Sequence, residues 1–401
     1  MAGILKTNRF RAPWLAGLLL LPLLVGCSTV KSWTNSSDDE EKPAVLAPLG
    51  DPFVEPDPPG AMPLTRRWDM SVSGAPEKYL VHPPVVEVSD KDIFVATQDG
   101  HVARVNADTG QQVWMVDVAS AIRGGVAADE TRVYVGTADA ELVALERGSG
   151  SELWRVPLSS LASSAPVVAG SRVLIMTLDN RTYAFNSADG VRLWSHQTVP
   201  ESLVVMGAPA PTVSRDAVFV GYSSGEVFGL NLADGKPVWR ENLTVIGGRT
   251  ELDLLQDVDG RIVIGDRLGY AVNHKGRLVA FDPARGQRIW EREVSSIRTP
   301  WWTPRRLFVS DMDGYVQAFN SQEGLPLWKT RVSDSLLTAP VVVGDHLYVA
   351  DDKGRFAVLD PESGALVSMV RLGEPVLADP RPGPAGSLYL WTHEGDLMKF
   401  Q

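Results

Sequence analysis

A glycine followed four residues later by a tryptophan recurs along most of this 401-residue chain: Gly110/Trp114, Gly150/Trp154, Gly190/Trp194, Gly235/Trp239, Gly286/Trp290 and Gly324/Trp328. A seventh glycine, Gly364, is followed by Ser368 instead. The residues leading up to each glycine are also alike. Residues 84–114 (PVVEVSDKDIFVATQDGHVARVNADTGQQVW), 166–194 (PVVAGSRVLIMTLDNRTYAFNSADGVRLW), 211–239 (PTVSRDAVFVGYSSGEVFGLNLADGKPVW) and 340–364 (PVVVGDHLYVADDKGRFAVLDPESG) share one plan. Each reads as an apolar strand, a turn, a second strand with alternation, a tight turn, a third strand, and a glycine turn into a fourth strand. The glycine suits a tight connection because it tolerates φ > 0. A large ring repeated on the fourth strand is read as a wedge between neighbouring sheets rather than as a ligand-stacking group. Four short strands per repeat of roughly forty residues is the pattern of a β-propeller blade.

The two chain ends set the number of blades. The last unit, GSLYLWTHEGDLMKFQ, stops at Gln401 after its third strand, while TRRWDMSV near the start contains a Trp68 that belongs to no unit. If that segment supplies the missing strand, seven continuous units and one shared unit make a closed ring without open strand edges. The fold class expected is all-β: an eight-bladed β-propeller of four-stranded antiparallel blades, the last closed by the N-terminal strand. Seven blades is the alternative if no strand forms around DPRPGPAG.

Upstream of the repeats lie two further regions. Residues 1–26 combine a basic start (Lys6, Arg9, Arg11) with an apolar run from Trp14 to Val25. That run is short for a membrane span and reads as a signal peptide. Its end, Leu24-Val25-Gly26-Cys27, resembles the bacterial lipobox, which implies cleavage before Cys27 and acylation of that residue; an ordinary signal peptide with a stray cysteine is the alternative. Ser28 rather than Asp at the next position points to the outer membrane by the same analogy. Residues 27–63, rich in Ser, Pro and acids, read as a lipid-anchored flexible tether, and 64–401 as the propeller. The net charge is −11, and loss of residues 1–26 removes three cations and no acid, leaving about −14. Such a chain is not built to bind nucleic acid, whose phosphates require a Lys/Arg surface.

The repeats resemble those of pyrroloquinoline-quinone-dependent dehydrogenases, also eight-bladed propellers. That resemblance would imply a carboxylate base, a calcium site and often a vicinal cysteine pair. Cys27 is the only cysteine, and no Cys-x-x-Cys-His haem motif is present. The six histidines (His82, His101, His196, His274, His346, His393) have no metal-ligand spacing. No nucleophile elbow, P-loop or zinc helix is found. A non-enzymatic protein without a cofactor is the reading these features favour, with a quinone enzyme and a propeller for an unrelated partner kept as alternatives.

Two connections between blades are longer than most: Trp194 to about Thr212, and Trp239 to about Arg261. They are consecutive, and strand parity puts them on one face of the ring. The first carries Leu203, Val204, Val205 and Met206; the second, GRTELDLLQDVDG at 248–260, carries Glu251, Asp253, Asp257 and Asp259 among leucines. An EF-hand from Asp257 would need an oxygen ligand, Gly and Glu where Arg261, Ile262 and Leu268 stand, so calcium is excluded there. A short capped helix from Thr250, or leucines folded onto the blade, are local alternatives. An apolar patch beside carboxylates on a rigid scaffold reads as a partner surface. The lipobox, the Trp repeat, ESLVVMGAPAPT and GGRTELDLLQDVDG together resemble the BamB family of outer membrane assembly factors. The resemblance covers essentially the whole mature body. It implies a scaffold lipoprotein of the β-barrel assembly machinery, on the periplasmic side of the outer membrane, whose partner is BamA through its periplasmic POTRA domains. The family's Leu-x-Leu-Arg and Asp-x-Asp patterns fall on Leu203, Val205 and Met206, and on Asp257 and Asp259. Met206 replaces a cation. Unfolded outer membrane protein substrates pairing with blade edges are a further expected partner.

Overall fold

The computed structural model describes residues 53–56, 60–72, 86–89, 91–199, 209–242, 258, 260–376 and 378–401. Its compact body begins at Phe53. The expected signal peptide, Cys27 and the expected tether as far as Pro52 lie outside the described residues.

Eight four-stranded antiparallel sheets make up the body, each built from strands adjacent in sequence except the last. In blade 3, for instance, Val167–Ala169, Arg172–Thr177, Arg181–Asn186 and Arg192–Gln197 run from the axis outward. Blades are numbered here from the one that opens with Glu87–Val88. Blade 8 combines Arg381–Pro382, Leu388–Trp391 and Asp396–Phe400 with Arg66–Ser71 as its outermost strand. The ring is therefore an eight-bladed β-propeller closed by the N-terminal strand. Arg381–Pro382 is short, yet it settles the count at eight rather than seven.

The core is divided among the seams. Eight buried apolar clusters each combine residues of two neighbouring blades, as when Leu174, Met176 and Trp194 of blade 3 meet Val218, Tyr222 and Phe228 of blade 4. The second and third strands are thus covered on both faces. The alternation expected for the second strand is absent for that reason: Arg172–Thr177 is buried from Val173 to Thr177.

The repeated tryptophan joins one blade to the next. In each of seven seams its indole Nε1 donates to a main-chain carbonyl in the turn before the next blade's outermost strand. The pairs run from Trp68 to Ala107 (3.3 Å), Trp114 to Arg147 (2.9 Å), Trp154 to Ser187 (3.2 Å) and Trp194 to Leu232 (3.0 Å). Trp239 to Pro283 (2.9 Å), Trp290 to Ser321 (3.3 Å) and Trp328 to Pro361 (3.2 Å) complete the series. Three residues after each acceptor stands the repeat glycine, with φ between 66° and 77°. The indole lies over it: a Cβ at Gly110 would come 2.8 Å from the Trp68 ring, and one at Gly190 2.8 Å from Trp154. The glycine therefore serves both the turn and the ring above it.

Ser368 departs from the pattern for a physical reason. A tryptophan there would need a turn in blade 8, but the outermost strand of that blade comes from the other end of the chain. Where the turn would be, Thr65 and Gln401 exchange two main-chain hydrogen bonds of 3.1 and 3.0 Å. Met62 and Leu64 pack against that seam instead. Blades 6 and 7 also hold the start of the body: Phe53 lies under the guanidinium groups of Arg331 (blade 6) and Arg355 (blade 7), at 5.6 and 4.9 Å, and Glu55 bonds Arg371 of blade 7.

In all eight blades the outermost strand slips register by one residue just before the Trp position, as between Ala184 and Phe185. The extra residue is turned outward, which exposes Val113, Leu153, Leu193, Val238, Ile289 and Leu327. Such bulges twist an edge and weaken it as a template for strand addition.

Gly286→Val places a branched side chain in contact with the Trp239 ring at a φ of +73°. Overpacking and the left-handed backbone together should cost about 2–5 kcal/mol. The urea midpoint should fall accordingly; a midpoint like that of wild type would show that the indole can move aside at no cost.

Candidate functional site

Seven repeated hydrogen bonds define one face of the ring. The first residue after an outermost strand donates its N–H to a carbonyl in the turn between the second and third strands of the same blade. The pairs are Val72 to Gly395, Val118 to Gly100, Leu158 to Ala140, Thr198 to Asn180, Val294 to Gly276, Val332 to Gly314 and Leu372 to Gly354. Connections between blades and these turns therefore share a face, the loop face.

On it, residues 198–211 and 243–262 separate successive blades, as the sequence suggests. A third long connection, residues 72–86, joins blade 8 to blade 1. Counting between repeat units passed over it because blade 8 is assembled from both chain ends.

Leu203, Val205 and Met206, with Asp257 and Asp259, lie outside the described residues. The roots of their loops are described. At the first, Asn180 adopts φ 56° and donates from Nδ2 to Val199 O (3.4 Å) and Ser223 Oγ (2.8 Å). His196 Nδ1 meets the Tyr222 hydroxyl at 2.9 Å, and that hydroxyl meets Thr182 Oγ1 at 2.8 Å. The strand is pinned up to Thr198, after which Val199 is 83% exposed. Val199 extends the apolar series toward the blade. Sequence reasoning missed it, although it stands just before Pro200 at the start of that connection.

At the second root Val258 is 1% exposed and forms a bridge with Asn273. It packs with Phe219, Val227 and Ile262, and Gly221 leaves space for it, since a Cβ there would stand 2.6 Å from Val258 Cγ1. The Asp-x-Asp segment is thus held to the ring by the residue between its two acids. Its signal in sequence was one valine between two aspartates, which an eye set on charge reads as incidental.

The innermost strands surround an axial cavity of about 470 Å³. Its charged lining includes Glu87, Arg123, Arg261, Arg298, Asp379 and Arg381. Among the described residues no three His, Cys, Asp or Glu side chains come together to hold a metal ion.

Ring, repeat and loop face together define a class: an eight-bladed propeller of the PQQ-like repeat type that carries long connections on one face. A family model described as outer membrane protein assembly factor BamB matches residues 98–330 and 312–397. The BamB of Pseudomonas aeruginosa is 38% identical over 389 residues, spanning 96% of this chain and 98% of its own length. The chain belongs to the BamB family. The crystal structure of BamB from Moraxella catarrhalis superposes with a TM-score of 0.76 at 24% identity, over 84% of this chain and 99% of that one. A quinohemoprotein alcohol dehydrogenase from Comamonas testosteroni superposes at 0.69 with 13% identity, over 84% of this chain and 76% of that one. The last two likenesses concern the fold alone.

His196 supplies a pH test of the first loop root. Burial holds its pKa below the ordinary 6.5, and nearby Glu226 offsets this only in part. The folded protein then binds fewer protons than the unfolded chain, so stability should fall as pH drops through the ordinary histidine range. His196→Gln should lose less stability than wild type between pH 7.5 and pH 5, measured by urea denaturation. Equal losses would remove His196 as the cause.

Proposed function

We propose that this protein is a non-enzymatic scaffold of outer membrane β-barrel assembly, lipid-anchored through Cys27 on the periplasmic side of the outer membrane. In this reading the loop face binds the periplasmic POTRA domains of BamA. Leu203, Val205 and Met206 supply an apolar contact and Asp257 and Asp259 a charged one. Family membership along nearly the whole length of the chain carries the reading. Two further features support it. The two long connections are consecutive and rise from one face, and both are rooted in buried, hydrogen-bonded positions. A rigid ring with variable loops suits presentation of a surface better than chemistry. Met206 in place of a cation makes the first contact more apolar, and methionine adapts to uneven surfaces.

Client strands pairing with the outer blade edges are a secondary role. The bulge in every outermost strand leaves only short uninterrupted runs for such pairing, so the loop face is the main surface in this proposal.

The test compares wild type with the Asp257→Lys, Asp259→Lys double variant for binding to the periplasmic domains of BamA. Both changes flank Val258 without replacing it, so circular dichroism and the melting temperature should be unchanged. Binding should weaken at least about tenfold, equivalent to 1.4 kcal/mol. Equal binding by a folded variant would move the interface to another face, and no binding by wild type would remove the proposed partner.

A further inference from the structure

The chain carries a net charge of −11, yet the axis of its ring is lined by more cations than acids. Four arginines (Arg123, Arg261, Arg298 and Arg381) face two carboxylates, Glu87 and Asp379. Glu87 pairs with Phe94 and Arg381 with Tyr389, which puts them at equivalent positions on the innermost strands of adjacent blades 1 and 8. Val263 of blade 5 holds the same position, opposite Tyr270, and Arg261 precedes it by two residues. These side chains reach the axis from different blades.

The four arginines are not equally compensated. Arg298 is 5% exposed, donates from Nε to Leu337 O at 2.8 Å, and has Asp379 Oδ1 at 3.7 Å from its Nη1. Arg123 is exposed at the wall. Arg261 donates from Nε to Thr212 Oγ1 at 3.1 Å. Among the described residues neither Arg261 nor Arg381 forms an ion pair. Burial first, and then repulsion by Arg381, pull the pKa of Arg261 down to about 10, with Glu87 opposing. Burial pushes the Glu87 pKa up, against the opposing pull of Arg381, Arg261 and Arg147.

A guanidinium held away from water at Arg261 and repelled by Arg381 is an unfavourable use of an axis that apolar side chains could have filled. The arrangement becomes favourable when an anion sits between them. A guanidinium presents a planar fork of donors matched to the oxygens of a phosphate or carboxylate. The cavity, about 470 Å³, has room for such a group with water around it, each water taking roughly 30 Å³. We infer that the axial cavity is a binding site for a small dianionic oxyanion, held between Arg261 and Arg381, with Arg123 and Arg298 completing the positive wall. The site is distinct from the loop-face contact and does not depend on it.

Inorganic phosphate is the probe. The full-length protein is titrated calorimetrically at a fixed ionic strength maintained with sodium chloride, so that a general salt effect cannot mimic binding. Wild type should show saturable binding of one phosphate. Arg261→Gln and Arg381→Gln should each bind at least about tenfold more weakly. Arg371→Gln, an exposed cation paired with Glu55 outside the cavity, should bind like wild type. A second readout needs no variant: the melting temperature of wild type should rise with phosphate at that same ionic strength. The site is overturned if wild type shows neither saturable heat nor a raised melting temperature up to about 10 mM phosphate, a range that covers millimolar affinity. It is equally overturned if both folded cavity variants bind as wild type does.

Discussion

The indole of one blade resting on the glycine turn of the next is the contact on which the ring depends. It combines three requirements at one point. The turn must hold a positive φ, its carbonyl must face outward to accept the indole N–H, and no side chain may stand beneath the ring. Side-chain caps prepare the turn for this: Asn106, Asn186, Asn231, Asp282, Asn320 and Asp360 each accept main-chain N–H bonds from residues two or three further on. Because blades 1 to 6 both give and receive this contact, their seams copy one another. The angle between blades is repeated through seven such steps, and the eighth closes the circle differently.

Closure is the one step that cannot be a copy. Blade 8 receives no indole, since its outer strand is entered from the N-terminal side of the chain rather than from a turn after its third strand. Its own outer face is reinforced instead: the carbonyl of Ala107 accepts from Trp68 Nε1, from Lys399 Nζ at 2.9 Å and from the Tyr389 hydroxyl at 3.4 Å. Three donors from both chain ends converge on one acceptor of blade 1. The serine at 368 and the crowded carbonyl at 107 are two consequences of the same break in the chain.

Much of this was legible in the amino-acid sequence. Glycine at seven equivalent positions, tryptophan at six and an unclaimed Trp68 were enough to give blade number, strand order and closure. Those residues answer to local rules, and local rules leave a mark in sequence. What escaped depends on the assembled ring. Val258 is buried only because Gly221 of the preceding blade leaves room for it. Arg261 and Arg381 lie 120 residues apart and are drawn together by the curvature of the sheet stack. The connection over 72–86 is visible as a connection only once the first strand is known to lie in the last blade. The contact residues Leu203, Val205, Met206, Asp257 and Asp259 came from family resemblance, and the described structure adds how their loops are rooted.

Phe53 and Glu55 stand upstream of the closing strand Arg66–Ser71 and are held against blades 6 and 7 by Arg331, Arg355 and Arg371. A pull on the chain from its N-terminal side meets this clamp before it meets the hydrogen bonds that close the ring. The clamp acts as a strain relief. Tension from that end is delivered to two completed blades, through two cation–π contacts and the two ion pairs of Glu55, and the closing strand is left unloaded. A ring whose seam lies at its own terminus can in this way be tethered by that terminus without being unzipped.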